Sequence, residues 1–337
     1  MYAAARSLLF TLDAERAHEL TLAAFQRFPA LATAPFAQTP VSDPVELLGL
    51  RFANRVGLAA GLDKNGECLA AWARLGFGFV EIGTVTPRPQ PGNPRPRMFR
   101  LPARQALINR LGFNNKGVDH LLARVAESDF SGVLGINIGK NADTPIERAV
   151  DDYLIGLRKV YRAASYVTVN ISSPNTKNLR ELQDEKPLRE LLTQLRDQGG
   201  ALAQQHGKRT PILVKIAPDV DEVQLDGIAR AARDCGIDGL IATNTTISRP
   251  GLENEAVAAE TGGLSGAPLL PLATETLRRL RARVGDDYPL IGVGGITDAA
   301  GACAKREAGA DLVQIYTGFI YQGPALIAGC ATALRSR

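Results

Sequence analysis

Residues 169–176 read VNISSPNT, an apolar run that ends in neutral hydrogen-bonding side chains. Asn170, Ser172, Ser173, Asn175 and Thr176 are amides and hydroxyls, with no His, Asp or Cys among them. The same chemistry recurs at or just past the ends of the other apolar runs. Lys64, Asn65, Thr84, Asn137, Lys215, Thr243, Asn244, Thr245, Tyr316 and Thr317 all fall there. An unpaired buried polar group costs roughly 1–3 kcal/mol, so this many need a shared partner. A large, amide-rich ligand supplies one, because amides both donate and accept. "GVGGI" before Thr297-Asp298, and "YTGF" before Gly323-Pro324, set exposed backbone N–H groups beside expected helix starts. That pattern suits a phosphate.

The two lysines admit more than one role. Either can carry its ammonium to a rim, form a Schiff base, or hold positive charge against an anionic substrate or reduced cofactor. A Schiff-base enzyme needs an acid/base partner, and the neighbours here are nearly all neutral. His18, His120 and His206 fall in helical segments away from the strand ends, which argues against histidine-driven or metal chemistry. Cys68, Cys235, Cys303 and Cys330 form no C-x-x-C pair and read as reduced thiols. The charge of +4 comes without a long Lys/Arg run, and there are seven tyrosines and one tryptophan. Nucleic-acid binding is therefore not expected.

These residues need a scaffold that brings many strand ends together. Short apolar runs occur at 55–61, 78–84, 132–139, 166–172, 211–217, 239–245, 289–295 and 311–318. Most are apolar on both faces, as in parallel strands covered by helices. Helical stretches at 66–75, 145–163, 186–206, 221–235, 272–284 and 298–308 alternate with them. Eight strands alternating with helices predict an α/β fold, a (β/α)8 TIM barrel with a small N-terminal helical extension. An open doubly wound sheet is the alternative, but no G-x-G-x-x-G follows the first strand. Long excursions at 85–115, 172–186 and 245–270 leave strand C-terminal ends, where barrel enzymes build their sites. The first is proline-rich and reads as strands and loop.

Residues 1–40 stand apart from this alternation. Two short helical segments rich in Leu, Phe and Ala are expected there, ended by Pro29 and Pro35, with Asp13 as an N-cap. They read either as helices packed on the barrel or as a flap with an apolar face for lipid or a greasy ligand. The apolar run Leu8–Phe10 is too short for a signal peptide. No stretch approaches a transmembrane length.

Ten segments in order strongly resemble the dihydroorotate dehydrogenases. They are AAGLDKNGE, GTVTPRPQPGNPRPR, NRLGFNN, GINIGKN, NISSPNT, VKIAPD, IATNTT, TGGLSG, GVGGI and QIYTGF. The resemblance is to the class 2, quinone-dependent, membrane-associated members, and its motifs span about residues 56–324. It implies FMN-dependent oxidation of dihydroorotate to orotate in pyrimidine synthesis, with ubiquinone or menaquinone as acceptor. Ala60, Gly61, Leu62, Asp63, Lys64 and Thr84 are then expected to line FMN. Asn137, Asn170, Lys215 and Thr243 are expected to touch it, with Gly266, Gly295, Tyr316 and Thr317 holding its phosphate and ribityl chain. Lys64, Asn109, Arg110, Leu111, Gly112, Phe113, Asn170, Asn175, Asn244 and Thr245 are expected to hold dihydroorotate.

By the same resemblance Ser173 is the catalytic base, and a serine there, rather than cysteine, points to class 2. Thr176 is a candidate for relaying its proton. His18 and Arg100 fall where a quinone headgroup would be held. Residues 1–40 become a membrane and quinone-access extension, and 41–337 the FMN-binding barrel. A monomer peripheral to the cytoplasmic face of the cell membrane is expected, with no obligate protein partner. A Schiff-base lyase using Lys215 and a non-catalytic flavin holder are the competing functions.

Overall fold

The computed structural model describes residues 1–252 and 254–335. Three helices open the chain: α1 (Tyr2–Leu9), α2 (Ala14–Arg27) and α3 (Pro29–Thr33). A hairpin of β1 (Val45–Leu47) and β2 (Leu50–Phe52) leads into β3 (Val56–Leu58), α4 (Leu69–Trp72) and β4 (Phe79–Val85). The proline-rich excursion contains β5 (Met98–Leu101) and β6 (Ala106–Asn109) and is followed by α5 (Val118–Glu127). Next come β7 (Val133–Ile138), α6 (Ala149–Val160), β8 (Tyr166–Asn170), α7 (Glu185–His206) and β9 (Ile212–Ile216). α8 (Glu222–Asp234), β10 (Gly239–Ala242), β11 (Gly263–Gly266) and α9 (Leu270–Val284) continue the chain. β12 (Leu290–Val293), α10 (Ala299–Glu307), β13 (Leu312–Ile315), α11 (Thr317–Gln322) and α12 (Ala325–Ala333) complete it.

The eight apolar runs supply β3, β4, β7, β8, β9, β10, β12 and β13, which close into one barrel with every pair parallel. Side chains on the outer face of the strands pack under the helices, while the inner face builds a second core of Phe52, Phe79, Tyr166, Leu213, Ile241, Ile291 and Leu312. Large rings fill the lower interior only where a neighbour is small. A Cβ on Gly135 would lie 2.3 Å from the Tyr166 ring. The β1–β2 hairpin plugs this end, with Phe52 fully buried edge-on to Phe79 at 5.2 Å. The polar strand ends are thereby left to the opposite mouth.

Several local outcomes differ from expectation. Pro29 does not merely end α2; it occupies the first turn of α3, where a missing N–H costs nothing. The helix expected at 66–75 shrinks to α4, because the Asp63 carboxylate accepts from the Glu67 and Cys68 backbone and holds a turn there. The excursion at 245–270 contains β11, which pairs antiparallel with β6 and completes a three-stranded roof with β5. Asp13 does cap α2, accepting from the Glu15 and Arg16 N–H groups at 3.0 Å.

Candidate active site

The end of β8 answers why so many neutral polar groups gather there. Behind it lies Glu81 of β4, fully buried, with Oε1 accepting from Asn137 Nδ2 at 2.8 Å. Its Oε2 accepts from the Tyr166 hydroxyl at 2.9 Å and from Gln314 Nε2 at 2.7 Å. Asn137 Oδ1 then accepts from Thr84 Oγ1 (2.6 Å), and Thr84 Oγ1 from Asn170 Nδ2 (2.9 Å). Asn170 Oδ1 accepts from Ser172 Oγ and from the Ser172 backbone N–H. Asn244 Nδ2 donates to Ser172 Oγ at 3.0 Å, and Asn244 Oδ1 accepts from the Thr245 N–H at 2.7 Å. Five strands' ends are joined in one row of hydrogen bonds.

Above this row opens a cavity of about 950 Å³ at the barrel mouth. The roof and the loop after β8 cover it. Asn175 Nδ2 donates to the Asn109 carbonyl (3.2 Å), and Asn93 Nδ2 to that of Arg110 (2.9 Å). Arg180 holds the same loop from behind, through the carbonyls of Ser172 (3.0 Å) and Thr245 (2.9 Å) and an ion pair with Asp219 (2.8 Å). On the far wall, Thr317 Oγ1 donates to Ser265 Oγ at 2.9 Å beside Gly266, Gly294 and Gly295. Gly295 has φ +85, and a Cβ there would sit 2.3 Å from the Leu270 nitrogen. Backbone must therefore form this wall.

Two lysines line the cavity. Burial pulls the Lys215 ammonium below its usual pKa, opposed by Glu81. Burial, then Arg97, lowers Lys64 to about 8, against the pull of Glu15 and Asp63. A second cavity of about 920 Å³ lies under α1 and α2, and its walls include Leu9, Phe10, Phe25, Leu62, Met98 and Phe319. His18 and Arg100 line it too. Burial, with Lys64 nearby, pushes His18 down to about 3, so that imidazole is neutral at physiological pH. The partition is thin. Gly61 and Gly318 face the polar cavity, while the next residues, Leu62 and Phe319, face the apolar one.

Of the residues named from sequence, Ala60, Gly61, Lys64, Thr84, Asn170, Ser173, Lys215 and Thr243 line the polar cavity. Asn109, Leu111, Gly112, Phe113, Asn175, Asn244, Thr245, Gly266, Gly295, Tyr316 and Thr317 do so as well. Of those assigned to the flavin, the substrate or the base, four are not on its wall; Asn65, Ser172 and Thr176, also picked out from sequence, do not line it either. Leu62 turns to the apolar cavity. Asp63 is buried against Trp72 Nε1 at 3.0 Å and keeps the β3–α4 turn in place. Asn137 lies one layer behind, between Glu81 and Thr84. Arg110 points outward, paired with Glu260 at 2.6 Å and stacked over Phe99. Glu81, Gln314 and Ser265 were missed by sequence reasoning. For the first two the available signal was a polar residue inside an otherwise apolar strand, in "FVEIG" and "LVQI". Among the described residues no group of His, Cys, Asp and Glu could hold a metal.

The family model for dihydroorotate dehydrogenase matches residues 44–337. This chain belongs to the dihydroorotate dehydrogenase family. Curated relatives called dihydroorotate dehydrogenase (quinone) agree. That of Methylibium petroleiphilum is 56% identical over 338 residues, covering 99% of this chain and 98% of its own. That of Azotobacter vinelandii is 58% identical over 335 residues, covering 99% and 96%. The crystal structure of the Eimeria tenella family member (DHODH) in complex with ferulenol superposes with TM-score 0.88 at 38% identity. It covers 96% of this chain and 90% of that one. The family's barrel and the motif series are thus found together in one chain.

Proposed function

We propose that the chain oxidises (S)-dihydroorotate to orotate with FMN and passes the electrons to a quinone, in de novo pyrimidine (UMP) synthesis. The observation that carries this is the pair of cavities separated by a single step of chain at Gly61–Leu62 and Gly318–Phe319. One is lined by amides, hydroxyls and two lysines, the other mostly by hydrocarbon.

The residues fit the flavin. Gln314 lines the polar cavity yet keeps a buried Oε1 without a protein partner, which a ring N–H would satisfy. The glycine wall at 266 and 294–295 suits a phosphate that must approach backbone closely. Lys215, buried in the cavity wall, suits the electron-rich edge of a reduced ring. When bound, FMN accepts the hydride from the substrate's ring carbon.

The chain's own groups do the rest. Lys64 pairs with the substrate carboxylate, and Asn109, Asn170, Asn175 and Asn244 hold the ring amides. Ser173 Oγ removes the proton from the neighbouring carbon. Its own hydroxyl proton must leave as it does so, and the Asn175 N–H, from which Oγ already accepts at 3.2 Å, steadies the negative charge that this departure places on Oγ. Thr176 Oγ1 is buried without a partner and is available to pass the proton onward. The substrate thus gives up one hydride and one proton, and the quinone returns as quinol.

Residues 1–40 form the membrane and quinone-access extension, and 41–337 the FMN barrel. Leu8, Leu20, Phe28 and Leu31 are exposed on α1–α3, which supports peripheral attachment to lipid. No described helix is long and apolar enough to cross a membrane. Four unpaired thiols support the reducing, cytoplasmic face. An anaerobic absorbance spectrum tests the reading. The flavin band should bleach on adding dihydroorotate and recover with a short-chain ubiquinone. No bleaching would overturn the substrate assignment, and bleaching without recovery the acceptor.

A further inference from the structure

We infer that Glu81 is a positioning residue whose carboxylate sets the donor and acceptor polarity of the amide row that meets the substrate. Both carboxylate oxygens of Glu81 accept, Oε1 from Asn137 and Oε2 from Tyr166 and Gln314, so the side chain meets donors only. The Tyr166 phenol is held well above its usual pKa by burial and by Glu81, so it stays a donor.

Each later choice is then forced. Asn137 must turn Nδ2 to Glu81, leaving Oδ1 for the Thr84 hydroxyl at 2.6 Å. Thr84 has spent its one proton and can only accept from Asn170 Nδ2. Asn170 therefore presents Oδ1 to Ser172 and Asn244, and Asn244 is fixed in turn by Ser172 and the Thr245 N–H. Asn170 and Asn244 line the cavity, whereas Glu81 and Asn137 do not. Glu81 also takes the amino group of Gln314, which leaves that residue's carbonyl oxygen as the unpartnered acceptor. A carboxylate that touches no ligand thus decides which atoms several ligand-facing amides present.

The inference rests on the proposed function, because orotate is the probe. Orotate affinity is measured by calorimetry on FMN-loaded protein for the wild type, Glu81→Gln, Glu81→Asp and the double variant Glu81→Gln/Asn137→Asp. Gln keeps the size of Glu81 but adds a donor that opposes Asn137, so affinity should fall about tenfold or more. Asp keeps an acceptor-only group and should bind orotate more tightly than the Gln variant. In the double variant the amide placed at position 81 donates to the carboxylate placed at position 137. That carboxylate again accepts from Thr84, so affinity should return to within about threefold of wild type.

A residue that merely fills space predicts the reverse order, with Gln harmless and Asp damaging. That order, or a double variant no better than Glu81→Gln, overturns the inference. Should Glu81→Gln not fold, the double variant decides alone, a loss of about tenfold counting against. Wild-type protein that binds no orotate would overturn both this inference and the function beneath it. Equal binding by wild type and Glu81→Gln would overturn only this one.

Discussion

The two cavities have nearly the same volume, about 950 and 920 Å³, yet they are built on opposite principles. The mouth of the barrel is a set of oriented donors and acceptors. Each side chain there is fixed by a neighbour, from Glu81 through Asn170 to Asn244. The space under α1 and α2 is walled mainly by Leu, Phe, Met and Ala, with Tyr2, Arg6, His18, Thr21 and Arg100 as its few polar members. Directional contacts discriminate, because a mismatched ligand leaves a buried group unpaired. Hydrocarbon walls discriminate by shape and only weakly. The difference teaches that one fold separates a selective chemical step from a permissive exchange of electrons by little more than the thickness of its backbone.

Breaking the polar side should have the largest effect. Ser173→Ala removes the proposed base and should slow flavin bleaching by dihydroorotate by about 10²–10⁴-fold, with orotate affinity retained. Stopped-flow reduction checks it, and an undiminished rate would take the base role from Ser173.

Next is the joint between the regions. Glu15 of α2 pairs with Arg97 at 2.7 Å, and both are buried. Arg97 in turn donates to the carbonyls of Pro91 and Asn93, and Asn93 reaches Arg110 in the roof. Glu15→Ala strands the guanidinium and should cost about 3–5 kcal/mol in urea unfolding. It should also slow both half-reactions, whereas changes confined to either cavity slow only one.

A change on the apolar side should be milder. Arg100 donates to the carbonyls of Phe10 and Leu12 and stacks on the Phe10 ring at 4.6 Å. Arg100→Ala should raise the quinone KM about tenfold and leave bleaching by dihydroorotate unchanged. A raised dihydroorotate KM instead would mean that the partition does not insulate the two sides.

The smallest effect is one of pH. Lys64 carries its charge below about 8 and loses it above, along with its attraction for a carboxylate. kcat/KM for dihydroorotate reports the free enzyme and should fall as pH rises through about 8, by up to tenfold per unit. kcat/KM for quinone should not follow. Because Glu15 raises the pKa of Lys64, Glu15→Ala should move the fall to lower pH.

The barrel was legible because its strands are buried on both faces and so read as unbroken apolar runs. Most of the site was legible too, since a polar residue at a strand's end has one mouth to point into. What stayed hidden depended on partners far away in sequence. β11 looked like loop because its four residues, GLSG, gain strand character only by pairing with β6. Glu81 was passed over in β4, since its partners come from β7, β8 and β13. Leu62, Asp63 and Arg110 sit within matching motifs, but their side chains turn away from the polar cavity to the apolar cavity, Trp72 and Glu260. A motif marks a segment; the backbone decides which of its residues face in.

The roof has a consequence for how the protein is made. β6 presents Ala106, Leu107 and Ile108, all buried in the finished molecule, and its outer edge is closed only by residues 263–266. During synthesis that edge must wait until β7 to β10 have been produced. An open apolar edge is a template for pairing with another chain, and contacts so distant in sequence form late. The β5–β6 ribbon is therefore a place where an unfinished chain can pair wrongly, and truncations between residues 110 and 262 should aggregate through it.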